Sequence, residues 1–508
     1  MQHAITFVIA ALCILAIAYR LYGVFFVRKV LRADDKLVTP SHELEDGKNY
    51  VPTNKWVNFG QHFAAIAAAG PLVGPVLAAQ YGYLPSFLWL LIGCVIGGAV
   101  HDTVVLFASM KHQGKSLSEV AKAELGPIAG WCTGLAMLFI ITITMAGLSM
   151  VVVHALERNA WGVFAVFMTI PISMVVGIWH KLTGNLQAAS WVGFIAVLAC
   201  VFFGPYVQES AFGAWLTLRA ETISLALPIY AFFATALPVW LLLTPRGYIS
   251  SFMKIGVFGA LVIGVICINP EIQFPAMTQF VHGGGPVLGG PVWPFISITI
   301  ACGAISGFHA FIGSGTTPKL VDKWNDILPV AFGAMLAECV VGVMALIAAT
   351  ALHPADYFAI NATPEAFAKL GMQVVDLPFL SQEIGMDLNG RTGGAVTLAV
   401  GMSYIFTKVP WFSNLASYFF QFVVMFEAVF ILTAVDSGTR VSRYLIQDFF
   451  GEFYPPLKRI DWMPGAIGAS VLACVMWGYL LMSGDIGSVW ALFGVSNQLM
   501  ASVEIGRA

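Results

Sequence analysis

The sequence GQHFAAIAAAGPLVGP at residues 60–75 decides how the chain folds. It is as apolar as a membrane-spanning helix, yet it carries His62 and two Gly-Pro pairs that begin at Gly70 and Gly74. Proline removes a helical hydrogen bond and disfavours helix at the residue before it, so we expect the backbone to open near residues 70–75. Inside a bilayer, open backbone is tolerated only where protein or a water-filled cavity surrounds it. The stretch therefore predicts an interrupted membrane helix in which His62, Gly70 and Gly74 line a binding site.

The whole chain has the composition of a polytopic membrane protein. Of its 508 residues, 58% are hydrophobic and 10% are charged, and the mean hydropathy is +0.82. Soluble proteins carry roughly 25% charged residues. The charges form short clusters between apolar runs, with no basic face for nucleic acid and no room for a separate soluble domain. We expect one all-α transmembrane domain over residues 1–508, because the long apolar runs do not alternate as barrel strands do.

About 20 apolar residues are needed to cross a bilayer, and this rule predicts about 13 transmembrane helices. The first, at 4–27, is expected to be an uncleaved extra N-terminal helix. The segment 397–406 is predicted to be re-entrant or at the surface, because a crossing there would put the basic residues between 440 and 459 on the outer face. The predicted spans are 4–27, 58–80, 85–108, 127–153, 160–179, 188–206, 222–243, 251–269, 292–313, 328–352, 412–434, 462–482 and 487–505.

Lysine and arginine set the predicted orientation. They are concentrated in the connections 28–57 and 109–126. Because basic connections stay on the cytoplasmic side, the N-terminus is expected outside and the C-terminus in the cytoplasm.

A second interrupted helix is predicted at the end of the ninth span, where residues 304–319 read AISGFHAFIGSGTTPK. Like the 60–75 stretch, it has Gly-x-His, an apolar tetrad and a glycine-rich break before proline, and it runs the opposite way through the membrane. Paired interrupted helices indicate a transporter's substrate site near the midplane. Its candidate solute or ion ligands are Ser306, His309, Ser314, Thr316 and Thr317. The alternative is that the small residues permit close packing and that both histidines are satisfied core imidazoles.

Ionisable residues within spans are costly and are therefore candidates for proton coupling. The candidates are His101, Asp102, Glu338 and Glu427. Asp436 is instead predicted to form a surface pair with Arg440.

Chemistry other than transport has little support in the sequence. The eight cysteines all lie in apolar runs without a Cys-x-x-Cys pair, and no His-Glu-x-x-His or Gly-x-Ser-x-Gly occurs. We therefore expect no metal site, no cofactor and no enzymatic activity. A membrane-embedded nutrient sensor, or an intramembrane enzyme built on His62, His309 and Glu427, is the alternative to a transporter.

Several long strings resemble the signature of the carbon starvation protein A (CstA) family. They extend from residue 32 to about residue 500. They include RADDK at 32–36, VPTNK at 51–55, the 60–75 stretch, GGPVWPF at 289–295, ACGAISGFH at 301–309, and Phe426-Glu427 through Arg443. The chain departs from the family in having Gln61 where a second histidine is usual, and in ending at Ala508 where many members continue.

The resemblance implies a symporter of the cytoplasmic (inner) membrane that takes up peptides or small carboxylates such as pyruvate during carbon starvation. The implied coupling ion is a proton, with sodium as the alternative, and the oligomeric state is left open. His62 and His309 would orient the solute or bind the proton, with Asp102 and Glu427 as second choices for the proton.

The family is similar to the amino acid, polyamine and organocation superfamily, which has an inverted five-plus-five helix repeat. That likeness implies a first repeat at 58–206 and a second at 222–434, followed by C-terminal helices at 462–505. A seven-plus-seven inverted repeat is the structural alternative.

Overall fold

The structure is a computed structural model that describes residues 2–47, 50–67, 70–238, 241–459, 462–484 and 486–505. Regular structure in these residues is almost entirely helical. Two short strands, β1 (Gln2–His3) and β2 (Glu271–Ile272), pair antiparallel and tie the N-terminus to the middle of the chain.

Among the described residues, the first half of the chain contributes twelve α-helices. The first of them, α1, continues through wider turns as far as Val30. Their bounds are Ala4–Ile17 (α1), Pro40–Glu43 (α2), Lys55–Ile66 (α3), Gly70–Ala78 (α4), Tyr83–Ile92 (α5), Ala99–Lys111 (α6), Leu117–Leu125 (α7), Pro127–Leu156 (α8), Ala160–Thr183 (α9), Leu186–Glu209 (α10), Ala211–Leu216 (α11) and Ala220–Ala236 (α12).

The described part of the second half contributes twelve more α-helices, several of them short. Their bounds are Leu243–Ile268 (α13), Val292–Thr299 (α14), Ala301–Ala304 (α15), Phe308–Gly313 (α16), Ala334–Thr350 (α17), Pro354–Asn361 (α18), Pro364–Ala368 (α19), Leu377–Ile384 (α20), Ala395–Thr407 (α21), Ala416–Gly451 (α22), Met463–Ser483 (α23) and Ile486–Ile505 (α24).

Length and apolar composition identify the membrane-crossing helices. Within the described ranges, eight helical segments pass this test, and α3 with α4 makes a ninth if the pair, bent by 51°, counts as one span. This confirms a multi-pass helical membrane protein. Four predicted spans, 222–243, 251–269, 292–313 and 487–505, do not match a segment that passes this test, so the count of 13 and the inverted repeat stay predictions. The eight segments are Ala4–Val30, Tyr83–Lys111, Pro127–Leu156, Ala160–Thr183, Ala188–Glu209, Trp324–Thr350, Trp411–Gly451 and Met463–Ser483.

Helices α9 and α10 form a hairpin at the periphery, and their ends follow from local sequence. Asn159 caps α9 by accepting from the N–H of Gly162 at 2.8 Å, and Gly184 ends the helix with φ of 71°. Asn185 then caps α10 by accepting from Ala188 at 3.0 Å. Only 44% and 33% of their apolar stretches are buried, so these two helices present a wide apolar surface to lipid.

The connections gather at two opposite faces of the bundle. The basic face holds the segments that the sequence predicts to be cytoplasmic: the Tyr50 hydroxyl donates to the Gln113 carbonyl at 2.9 Å, and Lys122 pairs with Glu452 at 3.3 Å. The opposite face holds the N-terminus, where the N–H of Ala4 donates to the carbonyl of Pro270 at 3.0 Å. Because Ala4–Val30 is one helical segment, the N-terminus and the basic connection after residue 30 lie at its opposite ends, and the orientation in the membrane stays a prediction.

Helix α8 is the centre of the bundle, and α21 packs near one end of it. Buried along most of its length, α8 contacts α7, α22, α23 and α24. The 13 residues of α21 are largely buried, but at 1.5 Å per residue they rise only about 20 Å, too little to cross roughly 30 Å of hydrocarbon. This agrees with the prediction that 397–406 is not a crossing.

The prediction that Asp436 forms a surface pair with Arg440 is wrong. Asp436 is 3% exposed. Its Oδ2 lies 3.1 Å from Nη1 of Arg246 on α13 and accepts from the Tyr230 hydroxyl at 2.8 Å. Arg440 donates to backbone carbonyls at the end of α12 instead. Asp436 points inward on the long α22, where only another helix can neutralise its charge.

We expect that replacing Arg246 with methionine lowers the free energy of unfolding by about 3–5 kcal/mol, because it leaves Asp436 as a buried unpaired charge. The melting temperature of the purified protein in detergent measures this. Lys122→Met, which breaks the partly exposed pair with Glu452, is the control and should cost less than about 1 kcal/mol. Equal losses in both variants would contradict the assignment.

Candidate functional site

Two interrupted helices lie against each other in the middle of the bundle. The first opens after α3, at Ala67, where ψ is 68°, and resumes at Gly70. The second opens at Ile305, whose φ of −147° and ψ of 110° are extended, and resumes at Phe308. Contacts join α4 to α15 and α3 to α16, so the two openings are neighbours.

The first opening lies earlier than the sequence predicted. Gly74 and Pro75 are inside α4, and Pro71 is in its first turn, where the missing N–H of proline has no helical partner to lose. Ala68 and Ala69, between α3 and α4, lie outside the described residues. Pro71 therefore favours the start of the second half-helix, and the non-helical Ala67 precedes it.

Glycine is required where the two segments cross. A Cβ atom at Gly70 would lie 2.1 Å from the Cβ of Cys302, and one at Gly74 would lie 2.5 Å from the carbonyl oxygen of Thr299. Protein atoms thus fill the space beside both glycines, which favours close packing, the alternative raised from the sequence, over solute contact at these positions. Another close approach, of Gly98 to the carbonyl of Ala304, brings α6 alongside the second opening.

The approach of α6 assembles a buried cluster of acids and imidazoles. Asp102 accepts at Oδ1 from Nδ1 of His101 at 2.9 Å and at Oδ2 from Nδ1 of His309 at 2.8 Å. The other nitrogen of His309, Nε2, lies 3.1 Å from Oε2 of Glu338, an ion-pair distance without hydrogen-bond alignment. All four side chains are almost fully buried, at most 2% exposed. Four residues that the sequence singled out therefore form one acid–imidazole cluster.

The remaining predicted ligands divide into those at the openings and those away from them. His62 contacts the Thr317 hydroxyl at 2.8 Å, which ties α3 to the turn after α16. Ser306 donates to Oδ1 of Asn497 at 3.2 Å, inside the second opening. Ser314 donates within its own helix to the carbonyl of Ala310, and Thr316 is exposed. Hydroxyls at 306 and 317 are thus in the site, whereas those at 314 and 316 are not.

Glu427 is separate from the cluster. It is completely buried on α22, and neither of its carboxylate oxygens has a hydrogen-bond partner among the described residues.

Three residues of the site were not among the sequence-based candidates: Cys302, Asn497 and Lys254. Asn497 on α24 accepts from the N–H of Phe308, the first residue after the second opening, at 3.1 Å. Lys254 on α13 donates to the carbonyl of Ala64, near the end of α3. A lysine inside a predicted span was a detectable signal, because intramembrane charges are rare. Asn497 had no comparable signal.

Cys302, His309 and Glu338 also offer ligand atoms that lie within 4.8 Å of one another. A histidine that binds a metal must turn a lone pair toward it. Both ring nitrogens of His309 face carboxylate oxygens, at 2.8 and 3.1 Å. This geometry fits proton binding between two acids better than metal ligation.

Comparison with known proteins identifies the family. Residues 3–506 match the family described as "Carbon starvation protein CstA". The chain belongs to this family. It is 75% identical over 504 residues to the "Peptide transporter CstA" of Bacillus subtilis (strain 168), covering 99% of this chain and 84% of the relative. The resemblance seen in the sequence is confirmed.

Two relatives from Escherichia coli (strain K12) carry different names. The "Pyruvate/proton symporter BtsT" is 42% identical over 552 residues, with 99% of this chain and 76% of the relative covered. The "Peptide transporter CstA" is also 42% identical, over 531 residues and with the same coverage. All three relatives are named as transporters, which confirms the expectation of a membrane transporter rather than an enzyme.

Gly74→Ala should lower the free energy of unfolding by about 1–3 kcal/mol, because the added methyl group meets the backbone of α14. The melting temperature of the purified protein checks this. Gly60→Ala is the matched control: Gly60 is also helical, but a Cβ there meets nothing within 4 Å. If Gly74→Ala is as stable as Gly60→Ala, the close crossing is wrong.

Proposed function

We propose that this chain is a proton-coupled secondary transporter that imports small carboxylates such as pyruvate, or peptides, across the cytoplasmic membrane during carbon starvation. The names of its relatives support both solute classes, and one of them names a proton as the coupled ion. In this proposal the basic face is cytoplasmic, as the distribution of lysine and arginine predicts.

The observation that carries the proposal is the position of His309 between Asp102 and Glu338. A protonated imidazole has two N–H donors, one for each carboxylate, whereas a neutral imidazole has one. Gain or loss of a proton therefore changes how firmly α16 is held to α6 and α17. Because α16 begins at the second opening, the proton acts on the segment that an alternating-access transporter has to move.

Proton coupling also fits the atoms of the cluster better than sodium coupling. Hard cations such as calcium and magnesium take oxygen ligands. Here imidazole nitrogens from His101 and His309 surround the central carboxylate of Asp102. Nitrogen bases that titrate near neutral pH are suited to carry a proton.

Protein in liposomes should accumulate labelled pyruvate or dialanine when the outside is acid, and Asp102→Asn should reduce this accumulation at least about tenfold. The same variant should still exchange labelled for unlabelled solute at uniform pH, because exchange needs binding and reorientation but no net proton movement. Accumulation driven by a pH gradient, compared with a sodium gradient, is the measurement.

Asp322→Asn is the matched control for this test. Asp322 also accepts from a histidine, His42, at 2.7 Å, but that pair is partly exposed in the connections. Its replacement should leave accumulation unchanged. Accumulation that follows a sodium gradient alone, or that is unaffected by Asp102→Asn, would rule out the proposed coupling.

A further inference from the structure

A cavity of about 300 Å³ lies beside both openings. Its walls come from α3, α13, α16 and α22. Tyr248 at its rim is 41% exposed, whereas Lys254 and Phe430 at its inner end are 6% and 2% exposed. The space equals roughly ten water molecules at about 30 Å³ each, which is enough for a small organic solute.

Lys254 gives the inner end of this cavity a distinct charge. The lining residues that the structure describes include Gln61, Ser250 and Thr433 as neutral polar groups, and among them Lys254 alone is charged. Its Nζ donates to the carbonyl of Ala64 and lies 3.5 Å from the centre of the Phe430 ring. An ammonium group has three N–H donors, so these contacts leave donor capacity for a ligand.

A buried ammonium is costly unless it is paired with a negative charge. Among the described residues, no carboxylate oxygen lies within ion-pair distance of Lys254; Glu338 on α17 is near enough to interact with it electrostatically, but that carboxylate faces His309. Glu427 lies on the same face of α22 one turn from Phe430, but it does not line the cavity. A carboxylate in direct contact with Lys254 is therefore expected to come from the ligand.

We propose that this cavity is the solute site and that Lys254 binds the carboxylate of a small monoanionic carboxylic acid. The inference rests on the proposed transport function and narrows its solute class. A zwitterionic peptide would bring its own ammonium group toward Lys254 and find no carboxylate among the described lining residues. A monocarboxylate such as pyruvate neutralises the lysine without adding a positive charge.

Position links this site to the acid–imidazole cluster. Phe308 lines the cavity, whereas its neighbour His309 contacts Asp102 on the other side of α16. Ala64, which accepts from Lys254, is two residues from His62, which contacts Thr317. A carboxylate at Lys254 thus lies next to both openings, as solute must in an alternating-access cycle.

The test is exchange of labelled pyruvate in liposomes at uniform pH, with unlabelled pyruvate, pyruvamide and dialanine as competitors. Pyruvamide has nearly the shape of pyruvate without its charge. For the wild type we expect pyruvate to compete at least about tenfold better than either alternative, the size of one charge-assisted hydrogen bond. Dialanine competing as well as pyruvate would overturn the proposal.

Lys254→Met should raise the KM for pyruvate at least about tenfold and abolish the preference over pyruvamide, and Lys254→Arg should restore part of that preference. Lys408→Met is the control, because Lys408 also lies over an aromatic ring, 4.2 Å from the centre of Tyr404, but is exposed and outside the cavity. Unchanged KM values in Lys254→Met would refute the role of Lys254.

Thermal stabilisation of the purified protein by pyruvate separates this proposal from the proposed function. Stabilisation of the wild type and of Lys254→Arg, but not of Lys254→Met, supports the site even if no gradient drives uptake. Gradient-driven accumulation that is insensitive to Lys254→Met supports the transport function and overturns the site. A stable Lys254→Arg variant also distinguishes loss of binding from loss of folding.

Discussion

A peptide group inside hydrocarbon must find its hydrogen-bond partner within the protein, because no water is available there. Two helices of this chain are interrupted inside the bundle. Side chains of other helices form hydrogen bonds with some of the backbone groups that the interruptions leave without a helical partner. The carbonyl of Ala64 accepts from Lys254 of α13, and the N–H of Phe308 donates to Asn497 of α24. The openings therefore depend on helices far away in sequence, and the packing of α13 and α24 around the centre follows from that dependence.

Buried charged groups must also find their partners within the protein, and leaving them unpaired costs more than leaving a peptide group unpaired. Asp102 accepts from two imidazoles, and Oδ2 of Asp436 contacts an arginine and a tyrosine hydroxyl. Each carboxyl group has partners because several helices converge on it. Lys254 differs, since its described contacts are a carbonyl and a ring, both neutral. The ammonium group of Lys254 can therefore still bind an anionic ligand, whereas the pairs formed by Asp102 and Asp436 join helices of the bundle.

The sequence predicted the components of the site better than their arrangement. Gly-x-His before a glycine-rich, proline-terminated stretch predicted both interrupted helices, since Gly and Pro act locally on the backbone. The same pattern placed the first opening too late in the chain. Proline is compatible with the first turn of a helix, so the sequence alone does not distinguish a proline that starts a half-helix from one that breaks it. Asp436 and Arg246 are 190 residues apart, and their pairing depends on how α13 meets α22. Lys254 lay inside a predicted span, but its role appears only once the cavity is seen.

Helix α16 connects the two proposals physically. It has six residues, and its first two face different sites: Phe308 the cavity and His309 the acid–imidazole cluster. A proton between Asp102 and Glu338 and a carboxylate at Lys254 would each act on the position of the same short helix. By thermodynamic linkage, whatever the proton does to solute affinity, the solute does equally to proton affinity. Because an interruption precedes α16, this helix can shift without moving a full-length span. The proton site and the solute site are then coupled through a single turn of helix.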